Sequence, residues 1–183
     1  SIIECGVLFG GGLMTFAQLS AIFEHVNFER QIIGFDTFSG FPNFSPIDKK
    51  YAGKLAIKGA YGIDSFNDLK ECMKLYDSNR FLGHFSKIQL VKGDASKTIP
   101  KYVDNNPALV VSLLYLDFLL YKPTKIALEN FVPRMPKGSL LVFNMINENP
   151  WPGPTKALLD TIGITKLKFK RFSFNPYIHY VVL

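Results

Sequence analysis

The chain has 183 residues, of which 48% are hydrophobic and 20% charged, and its formal net charge is +6 at pH 7. This length fits a single domain (residues 1–183) that can bury a core without disulfides or a bound metal to stabilise it, and the composition excludes a disordered chain. No apolar run reaches the roughly 20 residues that span a bilayer, because Asp117 interrupts the longest one. We therefore expect no membrane partner.

The cysteines and the basic residues point to no special partner either. Cys5 and Cys72 form neither a disulfide framework nor a metal-ligand spacing, so we expect buried thiols and, by default, the cytoplasm. The basic cluster KLKFKRF (residues 166–172) alternates charged and apolar residues, as a half-exposed strand does. A mildly basic surface equally suits an anionic small molecule, and we expect no nucleic-acid partner.

Strand-like apolar runs alternate with helix-like segments along the chain. The first predicted strand, residues 2–7, starts almost at the first residue, which suggests that an N-terminal segment is missing. The other predicted strands are residues 31–36, 87–94, 108–117, 138–146, 167–174 and 177–183. Helices are predicted near residues 13–25, 64–79, 96–103, 123–131 and 155–161. Residues 37–62, rich in Gly, Pro and aromatics, are predicted to form a long functional loop.

This order of elements predicts the fold class. Strands without polar alternation are buried on both faces, which indicates a parallel sheet covered by helices. Alternating strands and helices make that sheet doubly wound, and the closing pair of strands implies one antiparallel strand in the edge region. The predicted fold is a doubly wound, mostly parallel α/β sheet.

Polar and glycine residues follow the predicted strands at their carboxyl ends, where open α/β sheets bind ligands. These residues are Glu4, Gly6, Gly10, Gly11, Gly12, Asp36, Gly93, Asp94, Asp117 and Asn144. Asp117 stands alone in a long apolar run, and burying an unpaired carboxylate is costly. The strand should therefore end in a polar place, and we predict the functional site at this edge of the sheet.

The glycine turn ECGVLFGGG departs from the dinucleotide-binding fingerprint. Counting G-x-G-x-x-G from Gly10 puts Thr15 at the third glycine, and no Gly-Lys-Ser/Thr follows, which excludes a P-loop. A tight turn with no ligand remains an alternative for the glycines alone. Asp36 ends the second strand, where an acid can accept hydrogen bonds from ribose hydroxyls. Together the two features favour an adenosine-type cofactor, and the failed spacing argues against a nicotinamide-dependent dehydrogenase.

Five segments carry a resemblance to a known family: IIECGVLFGGG, IIGFDTFSGFP, LVKGDASKTIP, LYLDFLLYKPTKIALENFVPRMPKGSLLVF and NENPWPG. In this order they resemble the S-adenosylmethionine-dependent sugar O-methyltransferases of the macrocin O-methyltransferase type, over about residues 2–159. The resemblance implies the seven-stranded, Rossmann-like class I methyltransferase sheet with its last strand antiparallel. It also implies methyl transfer to a hydroxyl of a small-molecule sugar, a deoxysugar that is nucleotide-linked or attached to an antibiotic.

The resemblance also implies roles for single residues. The methionine end of the cofactor would be wrapped by residues of the first strand and the glycine turn: Glu4, Gly6, Gly10 and Gly11. The ribose and adenine would be held by residues after the second and third strands: Asp36, Thr37, Phe38, Gly93, Asp94 and Ala95. Asp117 would be the first acid of an LDxD pattern, acting as a metal ligand and as the acceptor of the sugar proton.

The chain departs from this family at the metal corner. Leu119, Asn144 and Met145 stand where the family carries acids, and Pro154 replaces another expected acid. Mg²⁺ takes about six oxygens and normally one or two carboxylates, so we expect a site of Asp117 and Asn144 to bind it weakly or not at all. An alternative is a catalytically impaired or engineered methyltransferase-fold binding module that keeps its S-adenosylmethionine site. A homo-oligomer remains open.

Overall fold

The computed structural model describes residues 1–183, which form one seven-stranded sheet with helices on both faces. The strands are β1 (Ile2–Cys5), β2 (Ile32–Asp36), β3 (Ile88–Lys92), β4 (Leu113–Leu116), β5 (Leu140–Asn144), β6 (Lys170–Phe172) and β7 (Asn175–Val182). The helices are α1 (Gly11–Phe23), α2 (Pro46–Ala52), α3 (Phe66–Ser78), α4 (Ala95–Asn105), α5 (Tyr121–Phe131) and α6 (Gly153–Thr161). None of the helices is long and apolar enough to cross a membrane.

The strand order is β3-β2-β1-β4-β5-β7-β6, and every neighbouring pair is parallel except the two pairs that contain β7. The chain runs outward from β1 on one side and then returns to lay β4 against its other side. This reversal is the switch point at which open α/β sheets bind their ligands. The predicted doubly wound, mostly parallel sheet is confirmed, and its antiparallel strand β7 lies second from the edge.

The apolar core lies in two layers, one on each face of the sheet. Ile3, Cys5, Ile33 and Phe35 point to the layer that α4, α5 and α6 cover. Ile32 points to the other layer, which α1 and α3 cover. The first four residues of β2 are all buried, and successive ones enter opposite layers, which explains why this part of the strand is a continuous apolar run.

Two predicted strands exceed the observed ones by five residues or more. The strand predicted at residues 108–117 is only β4, because its neighbour β1 offers four residues to pair with. Val110 lies before it and is 55% exposed. The strand predicted at residues 167–174 shrinks to the three exposed residues of β6, whose only partner is β7.

The predicted loop at residues 37–62 contains a helix, α2. Ser45 accepts a hydrogen bond from the backbone N–H of Asp48, Asp48 accepts one from the backbone N–H of Ser45, and Pro46 opens the helix. This reciprocal capping box satisfies N–H groups that a helix start leaves unpaired. The prediction for the cysteines is right for Cys5, which is buried, and wrong for Cys72, which is exposed on α3.

Candidate functional site

A cleft of about 490 Å³ opens at the carboxyl ends of the parallel strands. Its size is that of a small-molecule site. Eight of the residues predicted for the site line it, namely Gly6, Asp36, Thr37, Gly93, Asp94, Ala95, Asp117 and Asn144. A second cavity, of about 500 Å³, lies between α1 and α3 toward the other end of the sheet and contains none of the predicted site residues.

Five predicted residues lie outside the cleft lining: Glu4, Gly10, Gly11, Gly12 and Phe38. Phe38 is 3% exposed and packs in the core, with its ring centroid 5.1 Å from that of Phe66. Gly10 precedes α1 with a φ of 80°, and a Cβ there would collide with Leu69. The glycine turn therefore allows α1 to pack closely against α3, and it supports the cleft from outside its lining.

Gly6 marks the closest approach of two strand ends. Its φ is +96°, and a Cβ at this position would lie 2.8 Å from the carbonyl oxygen of Asp117. Any side chain there would strain the backbone and force the ends of β1 and β4 apart. The turn after β1 and the turn after β4 are therefore held together as two sides of one site.

Asp36 anchors the turn that follows β1. Its Oδ2 accepts hydrogen bonds from the backbone N–H groups of Val7 (2.7 Å) and Leu8 (3.0 Å), and its Oδ1 accepts one from Phe38 (2.8 Å). A carboxylate has about four acceptor positions, so Oδ1 can still accept one bond from a ligand. Leu8 and Phe38 both have φ values near 50°, a conformation that costs a non-glycine residue energy. The Asp36 carboxylate holds both in place.

Asp94, which follows β3, also bonds to the backbone and lines the cleft. It is the N-cap of α4, where its Oδ1 accepts a hydrogen bond of 2.9 Å from the backbone N–H of Ser96. Ala95 and Ser96 line the cleft beside it. The backbone N–H of Ala95 keeps no partner, whereas those of Lys97 and Thr98 bond to the carbonyl oxygen of Asp94. This free N–H and the adjacent carboxylate can bind the polar edge of a ligand.

Glu4 is a buried acid behind the cleft. It is 3% exposed and lies against Gly12, where a Cβ would collide with its carboxyl group. Burial, and then the charge of Asp117, raise the pKa of Glu4 to about 8. Its Oε2 has no hydrogen-bond partner in the protein, so the carboxyl group is predominantly protonated at neutral pH and keeps an unused oxygen.

Asp117 and Asn144 come together from neighbouring strand ends. The Nδ2 of Asn144 donates a hydrogen bond of 2.9 Å to Oδ1 of Asp117, and both residues line the cleft. Burial raises the pKa of Asp117 to about 6, although the Asn144 hydrogen bond acts in the opposite direction. Asp117 is therefore mainly ionised at pH 7 and can accept a proton from a bound group.

The side chains in this corner do not fit a magnesium ion. No group of three or more His, Cys, Asp or Glu side chains is arranged to hold a metal. Asn144 turns its amide nitrogen toward Asp117, whereas Leu119 and Met145 in the cleft lining offer no oxygen from their side chains. One carboxylate falls short of the donor set that Mg²⁺ takes in proteins.

Aromatic side chains form the wall facing the strand ends, and most of them escaped prediction. The ring of Phe41 lies 5.3 to 5.5 Å, centroid to centroid, from the rings of Phe44, Tyr61 and Trp151. Trp151 is 7% exposed, and it packs with Leu120 while still lining the cleft. It acts as an anchor of this wall and also presents surface to a ligand.

Comparison with protein-family models gives no match, and comparison with curated proteins gives none either. Among solved structures, one of CalS11, calicheamicin methyltransferase, is similar at 36% identity and a TM-score of 0.86, over 99% of this chain and 71% of CalS11. An apo structure of CalS11, described as a TDP-rhamnose 3′-O-methyltransferase in calicheamicin biosynthesis, is similar at 34% identity and a TM-score of 0.82, over 99% and 70%.

The O-methyltransferase NovP shares the fold at 17% identity, with a TM-score of 0.74 over 100% of this chain and 71% of NovP. The sheet order and the cleft at the switch point agree with the class I methyltransferase fold of these neighbours. The similarity to CalS11 confirms the predicted resemblance to sugar O-methyltransferases without distinguishing the macrocin type. By its similarity to CalS11 over nearly the whole chain, the protein belongs to the sugar O-methyltransferase family.

Proposed function

We propose that the chain transfers a methyl group from S-adenosylmethionine to a hydroxyl group of a deoxysugar, either nucleotide-linked or part of a glycoside. The observation that carries this proposal is the cleft, which joins one face of acids and close-packed glycines to an aromatic wall. The first face suits a nucleoside cofactor and the second suits a sugar ring. CalS11 is described as acting on TDP-rhamnose, which supports a nucleotide-linked deoxysugar as the first acceptor to test.

The residues present fit the cofactor. Asp36 keeps an acceptor position for ribose hydroxyls, and Asp94 with Ala95 lies at the start of α4, where the adenine edge would bind. Gly6, together with Glu4, Gly10 and Gly11 behind it, would surround the methionine end. S-adenosylmethionine supplies an activated methyl group, and the protein contributes mainly position and orientation.

Asp117 is the proposed proton acceptor. Its Oδ1 is oriented by Asn144, and its Oδ2 has no partner among the protein's hydrogen bonds. A sugar hydroxyl at hydrogen-bond distance from Oδ2 would lose its proton to this oxygen as its oxygen bonds to the methyl carbon. The bond between that carbon and the cofactor's sulfur would break, leaving S-adenosylhomocysteine. We propose that Mg²⁺ has no part in this step, because the corner lacks the carboxylates to hold it.

A methyl-transfer assay with S-adenosylmethionine and TDP-rhamnose tests the proposal directly. We expect S-adenosylhomocysteine and a methylated sugar nucleotide in equal amounts, at a rate unchanged by EDTA. The alternative function is a methyltransferase-fold binding module, favoured by Leu119 and Met145 in the metal corner. Tight binding of S-adenosylhomocysteine without transfer to a panel of nucleotide-linked and glycosidic deoxysugars would establish that alternative instead.

A further inference from the structure

We propose that Asp48 is a positioning residue that fixes the aromatic wall to the strand end carrying Asp117. This inference rests on the proposed function, because it assigns the wall to the sugar acceptor. Asp48 is 1% exposed, and it belongs to the segment that the sequence predicted as a loop. It lies outside the cleft lining.

The carboxylate of Asp48 joins two segments far apart in the chain. Its Oδ2 accepts hydrogen bonds from the backbone N–H (3.0 Å) and the hydroxyl (2.6 Å) of Ser45, within the same capping box. Its Oδ1 accepts a hydrogen bond of 3.0 Å from the backbone N–H of Tyr121, the first residue of α5. That N–H is one that a helix start leaves without an internal partner, and a negative charge is favoured there.

The start of α6 packs against the same carboxylate. A Cβ on Gly153 would lie 2.9 Å from Oδ1 of Asp48 and would collide with the backbone nitrogen of Tyr121. Three segments therefore meet at one buried carboxylate: the segment holding α2, the start of α5 and the start of α6. Hydrogen bonds to a charged group are among the stronger ones in proteins.

We call the contacts that Asp48 makes with Ser45, Tyr121 and Gly153 the Asp48 joint. This joint sets the geometry of the cleft. Ser45, on one side of Asp48, lines the cleft, and Leu120, on the other side, follows Asp117 by three residues. Leu120, Trp151 and Ala52 share one apolar cluster with Phe41 and Phe44. Apolar packing alone tolerates sliding, whereas hydrogen bonds to a single carboxylate fix the distance between the wall and Asp117. The acceptor hydroxyl is thereby held within hydrogen-bond distance of Asp117.

Asp48→Asn tests the role, because the amide nitrogen must face either the Ser45 N–H or the Tyr121 N–H, and one hydrogen bond is lost in either orientation. We expect the KM for the acceptor to rise about tenfold or more, a change of about 1.4 kcal/mol, while the Kd for S-adenosylhomocysteine stays within about twofold. Asp160→Asn is the matched control, since Asp160 also bonds to Tyr121 but through the exposed hydroxyl group. It should leave both constants unchanged.

Hydrogen–deuterium exchange gives a readout that needs no acceptor. In Asp48→Asn, residues 41–56 and the start of α5 should exchange faster while β1–β3 keep their protection. Gly153→Ala should reproduce the pattern without altering charge. An unchanged acceptor KM, or uniform loss of protection with weaker cofactor binding, would overturn the positioning role. If the wild-type protein methylates no sugar, the proposed function fails, and unchanged exchange of residues 41–56 would separately reject the joint.

Discussion

The two ends of the cleft differ in how much polar structure they keep. At the cofactor end, Asp36 and Asp94 are each bound to backbone N–H groups of the turns they stabilise. At the acceptor end, Asp117 has one side-chain partner, Asn144, and its other cleft neighbours include Leu119 and Met145. Asp36 and Asp94 therefore stabilise the fold as well as line the cleft, whereas the Asp117 carboxylate accepts a hydrogen bond from a side chain alone and stabilises no turn.

The largest expected effect comes from Asp117→Asn. The substitution keeps a hydrogen-bond acceptor for Asn144 but removes the group that takes the proton, so kcat should fall by about 10²–10⁴. The Kd for S-adenosylhomocysteine should change little, because the cofactor end is untouched. Steady-state kinetics and calorimetric titration measure the two quantities, with Asp104→Asn on the exposed surface of α4 as control.

The same residue predicts the pH profile. The pKa of Asp117 is raised to about 6, so the base is protonated, and inactive, below that pH. The value of kcat/KM should therefore fall as the pH drops through about 6 and stay flat above it. An acid limb centred near pH 4 would contradict the assignment of Asp117 as the base.

Asp36→Ala should weaken cofactor binding at the opposite end of the cleft. It removes the acceptor of three backbone N–H groups and the proposed ribose ligand at once. We expect cofactor affinity to fall by about 10²-fold, since each lost hydrogen bond to a charged group costs about 1.5–3 kcal/mol. Calorimetry measures the loss, and a wild-type Kd in the variant would remove Asp36 from the cofactor site.

Adding acids beside Asp117 should raise the affinity of this corner for Mg²⁺. The triple variant Leu119→Asp, Asn144→Asp and Met145→Asp supplies carboxylates that suit Mg²⁺. Met145 has a φ of 57°, which Asp tolerates better than Met. We expect Mg²⁺ affinity to rise by at least about tenfold over wild type. The control is the uncharged variant Leu119→Asn with Met145→Asn, and equal Mg²⁺ binding by both variants would show that the missing charge is not the cause.

Glu4→Gln should change the pH dependence of stability. The folded-state pKa of Glu4 is raised from 4.5 to about 8. A raised carboxyl pKa means that the contribution to stability is full below pH 4.5 and declines as the pH rises toward 8. The variant cannot ionise, so it should match wild type at pH 4.5 and exceed it in free energy of unfolding by several kcal/mol, about 4, at pH 8. Urea unfolding at both pH values measures the difference.

Much of the fold followed from the sequence because buried parallel strands are continuous apolar runs that end in polar residues. The ends of β1, β2, β3, β4 and β5 could therefore be placed together before any coordinates. Phe38 could not be placed, because adjacency to Asp36 does not say that its ring turns into the core. Asp48 left a local signal, the Ser45-Pro46-Ile47-Asp48 capping box, but its bond to Tyr121 spans 73 positions and is set by tertiary packing.

We propose that the cleft binds the cofactor, whereas the corner formed by Asp117 and Asn144 does not bind magnesium. Calorimetric titration of the chain with S-adenosylhomocysteine, with and without Mg²⁺, tests this claim most directly. We predict one-to-one binding with the same Kd in both conditions, and no heat from Mg²⁺ alone. Tight binding of Mg²⁺ would contradict the account of the acceptor end, and no binding of S-adenosylhomocysteine would contradict the account of the cofactor end.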